Sequence, residues 1–261
     1  MDENFKTEIS NAKLKNKRKI CKVSDTNQPH FVNIKTNNQI ITNTTCAELA
    51  IVFFSNILYM NGYIKVPLNQ LATSIVKEND TPDGNDRVSL VGKKKKIALD
   101  KSILEILSIE NDLRNIISSY DLSVFSIFIG PSSSLPKLEF SLIFPNFDHT
   151  EKSSSDDQKD SDSRLLVRSL VLFWSNFNIR NFKRQNIFVA FKIKNRNKNL
   201  QIPVKFSYKK NYQKVIDGRK KLLSYRFNFF SSVASTSSDS LDAQTSEYEW
   251  FVLSRPIKIK F

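Results

Sequence analysis

Glycine, histidine and cysteine are scarce, and each scarcity removes a class of chemistry. Five glycines in 261 residues leave little for glycine-rich nucleotide loops and count against tight barrels. Lys93–Lys96 follows Gly92, but a phosphate loop needs a second glycine five residues earlier and a Ser or Thr after the lysine, and neither is there. The two cysteines, Cys21 and Cys46, lack metal-ligand spacing and read as small buried side chains in a reducing compartment. The two histidines, His30 and His149, fall in stretches read as flexible, where neither is held against a serine or cysteine nucleophile. No Asp/Glu pair stands in a glycine-rich or strand-end context. The expectation is a non-enzymatic protein with no catalytic residue, no metal site and no cofactor.

Long apolar runs are missing too. The longest, Ala47–Phe54, is interrupted by Glu48 and falls short of the ~18 residues of a membrane span. No N-terminal segment pairs a basic start with an apolar stretch. The sequence therefore points away from membranes and towards the nucleus and cytoplasm, and the sequon Asn43-Thr44-Thr45 carries no secretory meaning.

What is present is a core. Apolar residues make up 40% of the chain, with 20 phenylalanines, enough for a self-sufficient fold. The net charge of +14 is concentrated: from Arg180 to Arg226 there are fifteen Lys or Arg and a single acid, Asp217. Such a surface favours acidic partners. Aromatics interleave with these charges, but most alternate with polar residues as core-facing strand positions do, so nucleic acid is the less favoured partner.

Ser163–Asn178 reads as the helix around which the rest is folded. Four aspartates (Asp156, Asp157, Asp160, Asp162) precede it at the positive end of its dipole, with Asp162 or Ser163 as N-cap. Leu166, Val167, Leu170, Val171, Phe173, Trp174 and Phe177 share an arc of roughly 160°, wider than the ~100° that packing on one surface requires. Leu165 and Leu172 fall outside that arc. Two readings stay open: a helix buried on nearly all sides, or one whose Leu170 and Trp174 meet another protein.

Elsewhere, residues 1–40 read as a flexible arm with a basic cluster at Lys13–Lys22 and a short alternation at Phe31–Ile34. Residues 41–261 read as one domain with mobile loops at about 78–92, 148–161 and 231–246. Cys46–Asn61 is a helix with a Thr45–Glu48 capping box and a Gly62 stop. Leu68–Lys77 is a short helix and Lys95–Ser119 a long amphipathic one. Val124–Ile129 and Leu138–Phe144 form an antiparallel pair. Ile187–Lys194, Val204–Lys209 and Leu222–Phe230 alternate as an antiparallel meander. The last fifteen residues are apolar enough to return into the fold.

The order of these elements and four local motifs resemble one family, the comet-type Mad-two-binding proteins, adaptors that silence the spindle assembly checkpoint. The motifs are Cys46–Leu71, Lys95–Leu142 with its Leu135-Pro136-Lys137 turn and Glu139, Arg164–Phe177, and the ending Glu247–Phe261. The resemblance implies an α+β, HORMA-like fold: three main helices on an antiparallel sheet, with a C-terminal safety belt carrying Trp250, Phe251, Pro256, Ile257 and Phe261. It implies two partners, the closed form of a checkpoint HORMA protein and a hexameric AAA+ remodelling ATPase. By position, Met60, Val167, Leu170, Val171 and Trp174 would meet the first; Pro203, Lys205 and Lys209 would meet the second. The kinetochore and spindle would be its places of action. Alternatives are a HORMA protein that clasps a peptide under its own belt, or a basic nucleic-acid-binding module.

Overall fold

Apolar residues at helical spacing on almost every side build the most deeply buried helix, α1 (Asn43–Met60), which encloses Cys46, Leu49, Phe53, Phe54, Ile57 and Leu58. Its N-cap is Thr42, whose extended backbone lets Oγ1 accept the Thr45 N–H at 3.2 Å. The cap therefore lies three residues ahead of the expected Thr45–Glu48 box, and Glu48 instead pairs with Arg114 of a neighbouring helix. At the other end Gly62 takes φ 72°. The Tyr63 N–H donates to Leu58 O and the Gly62 N–H to Tyr59 O, both at 2.9 Å; a left-handed residue closing the helix in this way favours glycine.

The computed structural model describes residues 29–36, 41–68, 70, 90–144, 156–176, 185–194, 201–219, 221–231 and 248–258, with backbone alone for 90–100, 156–158 and 231. The basic cluster Lys13–Lys22, Cys21, His149, Phe261 and nearly all of the expected helix Leu68–Lys77 lie outside the described residues.

Two further long helices flank α1. Helix α2 (Leu90–Ser119) starts inside the stretch expected as a loop and buries Ile103, Ile106, Ile109, Leu113 and Ile117 at helical spacing. Helix α3 (Asp156–Asn176) starts seven residues before Ser163, also inside an expected loop, and buries Leu166, Leu170 and Phe173. Asp162 is consequently not a cap: it lies within the helix, 1% exposed, and accepts a hydrogen bond from Thr36 Oγ1 at 2.5 Å. Helix α1 packs against both α2 and α3, so the fold is organised around α1 rather than around Ser163–Asn178. A helix with neighbours on both flanks and a sheet beneath needs apolar residues all round, whereas α3 keeps a wet side.

The sheet has seven strands in the order β1-β6-β3-β2-β4-β7-β5. These are β1 (His30–Thr36), β2 (Asp121–Gly130), β3 (Leu138–Ile143), β4 (Asn186–Lys194), β5 (Phe206–Tyr208), β6 (Leu223–Ser231) and β7 (Tyr248–Leu253). The expected β2–β3 pair is there, antiparallel, with Phe125 opposite Leu142 and Ile127 opposite Phe140. At its turn a Cβ on Gly130 would come within 2.9 Å of Leu135 O and Pro136 Cα, so only glycine fits. The α+β class follows the expectation. A purely antiparallel sheet does not: β6 is parallel to both β1 and β3. Nor do β4, β5 and β6 form a meander, because β6 inserts on the far side of β3 and β5 forms an edge beside β7. Alternation dictates which face a strand buries but not which strand it lies beside. Strand β1 is paired along its whole length with β6, which brings residues 30–36 of the expected arm, His30 included, into the sheet.

The three long helices cover one face, where Phe125, Phe140, Phe191, Phe227 and Phe229 are completely buried. The opposite face carries a smaller cluster. There α4 (Tyr212–Asp217), a short helix within the basic stretch that the sequence reading had missed, sets Tyr212 and Ile216 against Phe128, Phe188 and Trp250.

Candidate functional site

The apolar residues that the fold leaves outside α3 are the first place to look for a binding surface. Exposed positions recur along the helix at Asp160, Ser161, Arg164, Arg168, Val171, Leu172, Ser175 and Asn176, the spacing of one helix side. The first half of that side is polar, with an open hollow along Arg164, Leu165 and Arg168. The second half is apolar: Val171 is 51% exposed and Leu172 is 58% exposed. No hydrogen-bonding group on either side chain explains their exposure.

Among the residues expected to meet a partner, Leu170 is misplaced. It is 0% exposed and belongs to the main core. Trp174 is half-buried, its ring stacked on Phe140 at 5.1 Å and edge-on to Phe173 at 5.5 Å. Most of the arc of roughly 160° is filled by the protein's own core: Phe173 and Trp174 lie against aromatic rings of the sheet, α1 packs against the same helix, and Leu170 is inside the main core. Val167 and Met60 are half-buried, and Met60 packs against the core. Val171 alone of the five is exposed. Leu172, excluded from the arc by its angle, turns out to be its exposed companion. Tyr59, at the end of α1, is also exposed, at 43%.

The second expected surface lies at the sheet's other edge. Pro203–Phe206 forms a turn in which the Phe206 N–H donates to Pro203 O at 2.9 Å, and the Ser254 N–H anchors Lys205 O at 2.7 Å. This holds Val204 out at 97% exposure, while Pro203 is half-buried and Lys209 exposed. Lys205 reaches back to α2, where Nζ lies 2.6 Å from Asp112 Oδ2 and donates to Ser108 Oγ at 2.7 Å. Its ammonium therefore clamps the turn to α2. Val204, which is not among the expected contact residues, is the most exposed side chain there.

The chain matches no protein-family model and no curated protein. Its resemblance to the comet-type family therefore stands on the motifs quoted for it.

The C-terminal residues expected in a belt are structural in the described part. Strand β7 pairs with β4 on one side and β5 on the other. Phe251 stacks on Phe191 at 5.7 Å, Trp250 packs edge-on against Tyr212, and Ile257 is bridged to Ile187. Pro256 is half-buried. Cys46 is fully buried, and burial, with the charge of Asp121 adding, pushes its thiol far up, where it is no nucleophile. Burial pushes Tyr63 and Tyr225 up to about 12. No helix among the described residues is long and apolar enough to cross a membrane.

Proposed function

We propose that the protein is a non-enzymatic, HORMA-like adaptor. In this reading it binds the closed form of a checkpoint HORMA protein along the outer side of α3 and presents it to a hexameric AAA+ remodelling ATPase, silencing the spindle assembly checkpoint in the nucleus and cytoplasm and at the kinetochore. The observation that carries the reading is the pair Val171 and Leu172: adjacent, aliphatic and more than half exposed on a helix whose other sides are filled by its own chain. An apolar ridge on a helix suits a partner helix laid against it. The turn at Pro203–Phe206, with Val204 at its tip and Lys209 beyond, is the candidate ATPase contact. The C-terminal strand is paired on both sides by its own sheet, which favours an adaptor over a HORMA protein that clasps a foreign peptide.

The test uses the purified closed-form checkpoint HORMA protein as bait. The native chain is captured; the double variant Val171→Glu, Leu172→Glu loses about tenfold or more in affinity, as expected of residues central to an interface, with circular dichroism and melting temperature unchanged. Absence of capture by the native chain, or undiminished capture by the double variant, refutes this surface.

A further inference from the structure

The sheet face opposite the three long helices is covered only in part. Among the described residues α4 is the one helix on it, over Phe128, Phe188 and Trp250. Towards the β1 edge the same face is open in part among the described residues: Phe31, Asn33 and Lys35 are exposed, and Asn228, Ile143, Val124 and Lys192 are half-buried. One cross-strand row starts at the exposed Phe31 and the half-buried Arg226 and then passes under cover at Ser141, Ser126 and Ala190, which are buried. The next runs from Asn33 through Asn228, Ile143 and Val124 to Lys192. Neither row contains an acidic residue, but Asp217 of α4 faces them, its Oδ1 lying 3.7 Å from the Arg226 guanidinium. Beyond them Lys35 lies opposite Phe230. That these side chains share a face follows from alternation, since Tyr225, Phe227 and Phe229 are in the core on the other side. Two contacts agree with it: Asn228 Nδ2 donates to Asn33 Oδ1 at 3.0 Å, and Lys192 Nζ lies 5.5 Å from the Tyr248 ring centroid.

We infer that this face is a platform for single-stranded nucleic acid. Phe31 is 57% exposed, and Phe230 and Tyr248 are half-buried; these are rings on which bases stack. Lys35 and Lys192 are the cations set among them, placed for phosphates, while Arg226 is held by Asp217. Along the second row the face spans about 19 Å from β1 to β4, four strand spacings, room for a short run of nucleotides. Aromatics set beside cations on a partly open sheet face suit bases and phosphates together. An acidic peptide would use the cations and leave the rings idle. The aromatics of the basic stretch alternate as core-facing strand positions do, and most of those described are in the core. The rings of this platform lie outside that stretch: Phe31 is supplied by a strand nearly two hundred residues away, and Phe230 falls just past its end. Burial also holds the Lys192 ammonium below the usual lysine range, and a phosphate over it would favour the charged form. The surface lies across the sheet from Val171 and Leu172, so it is separable from the adaptor reading.

Fluorescence anisotropy of the full chain with fluorescein-labelled oligouridylate and oligothymidylate of about 12 nucleotides tests this. Single strands are expected to bind better than duplex. With two phosphate contacts the slope of log K on log salt is about −1.4, about a sevenfold loss from 50 to 200 mM. Phe31→Ala should weaken binding about fivefold or more, and Lys35→Glu should weaken it and flatten the slope. Both side chains are exposed, so neither change threatens the fold, while Val171→Glu should leave binding as it was. Three results would overturn the inference: no binding at 50 mM salt, binding unaltered by both variants (which would assign it to the basic N-terminal cluster), or binding of polyglutamate but not of oligonucleotide.

Discussion

Leu170 and Leu172 stand two residues apart on α3, and truncating each should give opposite results. Leu170 is 0% exposed, packed among aromatic and aliphatic side chains, and Leu172 is 58% exposed. Leu170→Ala removes buried methyl groups and leaves a cavity, a loss of about 3 kcal/mol. For a protein of this size that lowers the melting temperature by about 6–12 °C. Leu172→Ala removes atoms already largely in water, and should cost no more than about 0.5 kcal/mol, or about 1–2 °C. Urea unfolding of both variants beside the native chain, followed by far-ultraviolet circular dichroism, measures the difference directly. In partner capture the order reverses: Leu172→Ala weakens binding at unchanged stability, and Leu170→Ala binds normally wherever it is folded. If Leu170→Ala costs less than about 1 kcal/mol, or Leu172→Ala costs more than Leu170→Ala, the division of α3 into core and outer sides is wrong.

Two further outcomes follow from local geometry. Gly130→Ala forces a Cβ to within 2.9 Å of backbone atoms at Leu135 and Pro136; it should destabilise by about 1–3 kcal/mol, read by the same urea titration, and a neutral result would mean that the β2–β3 turn adjusts freely. Tyr63 and Tyr225 are raised by burial to about 12, so unfolded chains ionise there first. Stability should fall as pH climbs from about 10 to 12, and Tyr63→Phe should remove one late-titrating group from the tyrosinate absorbance at alkaline pH.

Local signals were legible and long-range ones were not. Helix α1, its glycine stop, the amphipathic α2 and the β2–β3 pair are written in spacings of two and 3.6 residues, and each is found. The Thr42 cap was missed because Thr42, Thr44 and Thr45 stand too close together for sequence to choose between them. The parallel placement of β6 between β1 and β3 depends on partners far apart in the chain, to which no local period refers. For the candidate site, most of the α3 arc is taken up by the protein's own core, and of the helix's two exposed aliphatics only Val171 lies on it; angle alone does not say which edge is covered. Leu170 is taken into the main core, and the exposed aliphatics there are Val171 and Leu172. Lys205 likewise reads as a surface cation until Asp112 is found beneath it.

Strand β1 closes the sheet by pairing His30 with Tyr225 and Thr36 with Ser231. On a ribosome making about 5–20 residues per second, the nascent β1 would wait about 10–40 s for β6 to be made. During that time Phe31, Val32 and Ile34 have no strand to lie against, so the newborn chain offers a sticky edge to chaperones well before the finished protein offers anything to a partner.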